Sequence, residues 1–251
     1  MAEKSVIVWD LETVPDVQAA KRMLALGESS DSEAREIIGP GFPKLPLHSI
    51  ACIGALVARH EPKGWHTTAI GAPHINERPE PELIRTFVDR IAQLKPLLVT
   101  FNGNGFDLPV LRYRAMLHRI PAPGLHARSY FHRYSSDAID LCDVLASFGS
   151  SARMKLDELS RFLALAGKPD GIDGSMVESF VSSGRIDEVA RYCETDIVNT
   201  YRIWLLHELF TGSLTSEEYE WSETQLHEYI GTHKTDNPDL QTAMTVPMEK
   251  S

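Results

Sequence analysis

The chain has 251 residues, 43% apolar and 24% charged, enough for one large α/β domain or two small ones. No apolar run approaches the ~20 residues of a membrane span. The net charge of −10 excludes a general nucleic-acid binder with a broad basic face. The acidity is uneven: residues 213–251 hold eight Asp/Glu and two Lys, a net of −6, which leaves −4 on residues 1–212. Cys52, Cys142 and Cys193 share no ligand spacing. They read as small buried hydrophobes in a reducing compartment, so a cytoplasmic location is expected. No signal-peptide apolar region precedes the first strand.

Residues 6–9 form a short apolar strand, and 16–38, charged and rich in Ala and Leu, predict one or two short helices. The Gly/Pro stretch 39–46 is a loop. Residues 49–58 and 64–70 predict a hairpin. Apolar residues at 83, 84, 87, 88, 91 and 94 give 81–94 the period of a helix. Residues 97–101 are a buried strand, and Pro109 opens a helix that runs to about 117. An irregular connection over 121–136 leads to a short strand at 138–140. Helices are expected at 141–148, 156–165, 176–181, 186–209 and 216–229, with a loop at 167–174. The last twenty residues are polar and expected to be mobile. Strands early and helices late fit a mixed sheet flanked by helices. The reading is an α/β domain over 1–212 with an acidic, partly helical extension over 213–251.

Three stretches carry candidate chemistry. In the first, Val6-Ile7-Val8-Trp9-Asp10-Leu11-Glu12-Thr13, the two carboxylates are spaced i and i+2 and project together from the end of a strand. Carboxylates that close repel unless a proton or cation lies between them, and hard divalent cations accept carboxylate oxygens. Alone, the stretch also fits a strand that turns polar at the surface. The second, Asn102-Gly103-Asn104-Gly105-Phe106-Asp107, follows a buried strand. The third, Tyr192-Cys193-Glu194-Thr195-Asp196, sets Tyr192 and Asp196 on one helical face. Phosphodiester hydrolysis needs an activated water and a stabilised leaving oxygen. Two divalent ions about 4 Å apart do both in many nucleases. Asp10, Glu12, Asp107 and Asp196 are the carboxylates this chain offers for magnesium or manganese.

Read together as Asp-x-Glu, Asn-x-x-x-Phe-Asp and Tyr-x-x-x-Asp, the stretches resemble the three motifs of the DEDDy branch of 3′–5′ exonucleases. The nearest likeness is to bacterial stand-alone proteins similar to the exonuclease domain of family B DNA polymerases. The resemblance runs from residue 6 to about 214 and implies a ribonuclease H-like fold. It also implies metal-dependent removal of nucleotides from the 3′ end of single-stranded nucleic acid, with DNA placed ahead of RNA. By the same resemblance Tyr192 helps position the attacking water, and Leu11, Thr13, Asn102 and Phe106 meet the substrate end. An RNA-trimming exoribonuclease and a non-catalytic nucleic-acid-binding module are the alternatives.

Asp140, beside Leu141, reads as a helix cap. Gly103 and Gly105 are not a phosphate loop, because no Lys-Ser/Thr follows them. Residues 112–133 hold five arginines and three histidines, no Asp or Glu, and interleaved aromatics. Arg128 and Tyr130 are therefore expected to hold the strand, the arginine through phosphate and the tyrosine by stacking on a base.

Overall fold

The computed structural model describes residues 4–165, 174–235 and 237–245. Five strands form one sheet: β1 (Ser5–Pro15), β2 (His48–Glu61), β3 (Gly64–Gly71), β4 (Leu97–Thr100) and β5 (Ala138–Asp140). Their spatial order is β3-β2-β1-β4-β5. β1 pairs antiparallel with β2 and parallel with β4, and β5 continues the parallel half. β1 is thus the centre of a mixed sheet. It is also longer than its apolar run predicts. Asp10, Glu12 and Thr13 break that run, yet β2 pairs with β1 as far as Pro15, with an irregularity at Glu12/Thr13. Both carboxylates lie within the strand, not at its end.

The helices are α1 (Val17–Met23), α2 (Asp31–Ile38), α3 (Glu80–Leu94), α4 (Asp107–Leu117), α5 (Leu141–Leu145), α6 (Leu156–Phe162), α7 (Val177–Ser182), α8 (Ile186–Thr211), α9 (Ser216–His233) and α10 (Pro238–Thr245). α2 opens on a Ser30/Glu33 capping box and α9 on a Thr215/Glu218 box. α8 ends at Gly212, whose φ of 76° suits a left-handed cap. α4 begins at Asp107, so Pro109 is its third residue. Its missing N–H costs nothing there, because first-turn amides have no intrahelical acceptor. The helix expected over 141–148 stops at Leu145, because Ser147 and Phe148 take left-handed φ values of 48° and 55°.

Alternation along β1 sorts its side chains into two cores. Val6 and Val8 join Ile197, Tyr201 and Trp204 of α8 and Leu226 and Ile230 of α9. Ile7, Trp9 and Leu11 join Leu83, Phe87 and Ile91 of α3 and Leu108 and Leu111 of α4. Each fully buried side chain of this size contributes about 1.5–3 kcal/mol. Part of the stretch expected to be mobile is helical. α10 folds back, and its Leu240 is fully buried in the same core as α8 and α9. The loop expected at 167–174 lies almost wholly outside the described residues, as do 246–251. No helix among the described residues is long and apolar enough to cross a membrane.

Candidate active site and metal centre

Asp10 and Glu12 continue the Val6/Val8 face, and so point toward α8. The close approach of α8 depends on Gly54, which lies opposite Asp10 in β2. A Cβ there would stand 2.5 Å from Cys193 Sγ. The Cys193 thiol lies 3.9 Å from Asp10 Oδ2. One turn of α8 around that thiol carries Tyr192 and Asp196.

β4 pairs with β1 only over Val6–Val8. Beyond Val8 that edge of β1 is left for the loop that follows β4. There the Leu11 amide donates to Asp107 Oδ1 at 2.9 Å. The loop is set by three local features. Asn102 takes φ 71°, which its short polar side chain tolerates. Gly103 lies where a Cβ would meet the Thr100 side chain at 2.5 Å. Asp140 accepts from the amides of Asn102 and Asn104 at 2.7 and 2.9 Å, besides capping α5 through Cys142. The expected cap is therefore present, and it also anchors the loop that delivers Asp107.

Asp10, Leu11, Glu12, Thr13, Phe106, Tyr192 and Asp196 meet around one cleft of about 560 Å³, beside the carboxyl-terminal half of β1 and the loop that follows β4. Ligand sites of α/β sheets typically form at this end of the strands. Tyr192 is buried. Burial and then the charges of Asp196, Glu12 and Asp10, with a hydrogen bond to Asp196, drive its hydroxyl pKa far above the usual value.

Asp107 sits behind the cleft, only 2% exposed. Burial pushes its carboxyl up to about 7, although the Leu11 amide pulls it down. Leu11 packs in the α3/α4 core at 4% exposure and also lines the cleft. Thr13 Oγ1 lies 2.9 Å from His48 Nδ1, while His48 Nε2 faces the Pro43 carbonyl at 3.2 Å. Burial lowers the His48 pKa, so a neutral ring that accepts from Thr13 and donates to Pro43 satisfies both contacts.

The donor set fits a hard cation. Ligand atoms of Asp10, Glu12 and Cys193 lie within 4.8 Å of one another. The Cys193 thiol is raised well above its ordinary pKa by a hydrogen bond with Cys52 and by burial. It packs against Gly54, and hard cations take carboxylate oxygens in preference to a thiol.

Three expected substrate residues are not in the cleft. Asn102 is exposed, and its Oδ1 accepts from Arg153 Nη1 at 3.2 Å. Tyr130 is 0% exposed and donates its hydroxyl to the Pro96 carbonyl at 2.7 Å, so its ring cannot stack on a base. Arg128 is paired with Asp137 and donates to the Lys95 carbonyl. Both are structural ties between the 121–136 connection and the start of β4. The cleft wall instead brings in Phe42, Arg35 and Glu178. Phe42, 75% exposed, lies 5.3 Å from Phe106 and 4.7 Å from His48, ring to ring. Arg35 Nε reaches Glu178 Oε1 at 2.6 Å and ties α2 to α7. In the sequence Phe42 was only an aromatic in a Gly/Pro loop, with no periodicity to mark it.

Residues 40–245 match a family described as predicted 3′–5′ exonucleases related to the exonuclease domain of PolB. The chain belongs to this family. The match takes in Asp107, Tyr192 and Asp196 and begins after β1. A DNA polymerase of Archaeoglobus fulgidus is 28% identical over 132 residues, 49% of this chain and 17% of the polymerase. The family B DNA polymerase of the hyperthermophilic archaeon Pyrobaculum calidifontis superposes with a TM-score of 0.54 at 17% identity. It covers 91% of this chain and 29% of that polymerase. The chain thus spans less than a third of either polymerase. The likeness of structure is one of fold, the ribonuclease H-like α/β fold.

Proposed function

We propose that the chain is a metal-dependent 3′–5′ exonuclease that removes nucleotides from single-stranded nucleic acid in the cytoplasm. The observation that carries this reading is that Asp10, Glu12, Tyr192 and Asp196 line one cleft. DNA is placed ahead of RNA because the relatives are DNA polymerases. The three cysteines are free and buried, as a reducing compartment allows.

Asp10, Glu12, Asp107 and Asp196 would hold two magnesium or manganese ions. When bound, such ions supply an activated water and charge stabilisation at the leaving oxygen. Tyr192, held protonated, orients the attacking water through its hydroxyl. Phe42 and Phe106 offer ring faces for the terminal base, each stacked base being worth about 1–3 kcal/mol. Thr13, fixed by His48, presents a polar group at the substrate end. Arg35 can turn from Glu178 toward a phosphate.

The test uses matched DNA and RNA oligonucleotides labelled at either end, with magnesium, manganese or EDTA. Stepwise shortening from the 3′ end that stops in EDTA and in Asp10→Asn is expected. Full turnover in EDTA or in Asp10→Asn would overturn the reading.

A further inference from the structure

The loop that puts Phe106 into the cleft turns Asn104 toward a second cavity of about 360 Å³. Around it stand Arg112, Arg133 and Arg153, with Asp143 and Phe131. Three guanidiniums against one carboxylate give a formal charge of plus two, in a chain whose net charge is −10.

The cavity is built, not incidental. Asp143 is 2% exposed and takes both Nε and Nη2 of Arg133, at 2.8 and 2.9 Å, and also Nη2 of Arg153. A single buried carboxylate thus fixes two arginine forks, whose side chains remain 43% and 49% exposed. A guanidinium has five N–H donors, so donors on each fork remain for a second anion. Arg112 is exposed, lies over the Phe131 ring at 5.1 Å, and has no ion pair among the described residues. Asn104 Nδ2 is buried with no acceptor among the described residues. Fixed guanidinium forks match phosphate oxygens in geometry, and fixing them beforehand lowers the entropy cost of binding.

We propose that this cavity binds a backbone phosphate of the nucleic-acid strand whose 3′ end lies in the cleft. The site rests on the exonuclease reading for its ligand, but its geometry is independent of the carboxylates. Arg153 ties the cavity to the 102–107 loop, because it contacts both Asp143 and Asn102. The strand would pass over the 102–107 loop, with its end residue beside Phe106 and an upstream phosphate among the arginines.

The experiment measures anisotropy of a fluorescein-labelled single-stranded 12-mer with the full chain. An Asp10→Asn background prevents turnover, and salt is varied. Arg112→Ala and Arg153→Gln are compared singly and together. Each is expected to weaken binding about 5- to 10-fold and to flatten the salt dependence by about 0.7 for each phosphate no longer neutralised. With Asp10 intact, hydrolysis of the nitrophenyl ester of thymidine 5′-phosphate measures the cleft alone and should keep its rate. Unchanged affinity and salt slope in the double variant would overturn the proposal. So would loss of binding for thymidine 5′-monophosphate alone, which would make the cavity a mononucleotide site. Equal loss on the ester and the 12-mer would show that the arginines only support the cleft. Arg112→Ala breaks no ion pair, so it separates binding from folding. If the ester is not hydrolysed but the arginines still govern 12-mer binding, the nuclease reading fails and the phosphate site stands.

Discussion

Replacing Gly54 with alanine tests how closely α8 must approach the sheet. The added Cβ would lie 2.5 Å from Cys193 Sγ and 3.3 Å from Ile197 Cγ2. Ordinary contact begins near 3.4 Å, so α8 or β2 must give by about 1 Å. Overpacking of this kind costs about 1–3 kcal/mol. Removing a strand glycine returns about 0.5–1 kcal/mol through the unfolded state. The net loss is about 1 kcal/mol, a fall in Tm of about 2–4 °C for a chain of this size. The effect on rate is larger, because Cys193 sits between the Asp10 carboxylate and the turn that carries Tyr192 and Asp196. A displacement of about 1 Å at a reacting centre can cost about 100-fold. Calorimetry gives the first quantity and release of a 3′-terminal nucleotide the second. Cys193→Ala removes the clashing sulfur and leaves 3.3 Å as the closest contact, so the double variant should recover most of the rate. Wild-type rate and Tm in Gly54→Ala, or no recovery in the double variant, would refute the reasoning.

Saturating manganese should raise Tm by about 5–10 °C, since a ligand at 100 times its Kd adds about 2.7 kcal/mol. The rise should vanish in Asp10→Asn/Glu12→Gln, and calorimetry with and without metal checks it. Tyr192→Phe should lower kcat by about 10- to 100-fold with little change in KM, because it removes an orienting hydroxyl and leaves the ring; equal rates at saturating substrate would count against the role. Lys234 and Asn237 hold the Glu194 carboxylate at 2.5 and 2.8 Å. Lys234→Met should therefore cost about 2–4 kcal/mol in urea unfolding by leaving a largely buried charge unpaired. Arg114, 3% exposed, binds Glu80 and Asp16, and Arg114→Met should cost about 3–5 kcal/mol. Burial opposes the Asp16 carboxylate, but the Ala19 amide and Arg114 outweigh it and hold its pKa below the ordinary value. Its stabilisation is thus present above the ordinary carboxylate pKa and lost as pH falls through the lowered one. Unfolding curves on the acid side should flatten in Arg114→Met.

That Asp10, Glu12, Tyr192 and Asp196 share one cleft was legible because local chemistry marks them. Two acids on one face of a strand, or a tyrosine and an aspartate four apart on a helix, are unusual in a core. The extent of β1 was not legible, since β2 sets it from some forty residues away. The stretch 112–133 misled for a related reason. It contains no acid of its own, but Asp16, Glu80 and Asp137 arrive from elsewhere and take up Arg114 and Arg128. Composition shows how many charges a segment carries and not which of them folding neutralises. Tyr130 was ambiguous on its own terms, because a ring with one polar atom suits both a core margin and a stacking platform.

The position of β1 also bears on the order in which the molecule comes into being. Its partners β2 and β4 emerge soon after it, whereas α8 must return from the far part of the chain to bring Asp196 to the cleft of Asp10 and Glu12. At about 5–20 residues per second of synthesis, Asp196 follows Asp10 by roughly 10–40 s. During that interval the sheet can begin to assemble with half of its acidic face open to the solvent. Pairings this distant are also the slow ones in folding. A growing chain therefore carries Asp10 and Glu12 as ordinary surface acids, and hydrolytic capacity would arise only when α8 docks.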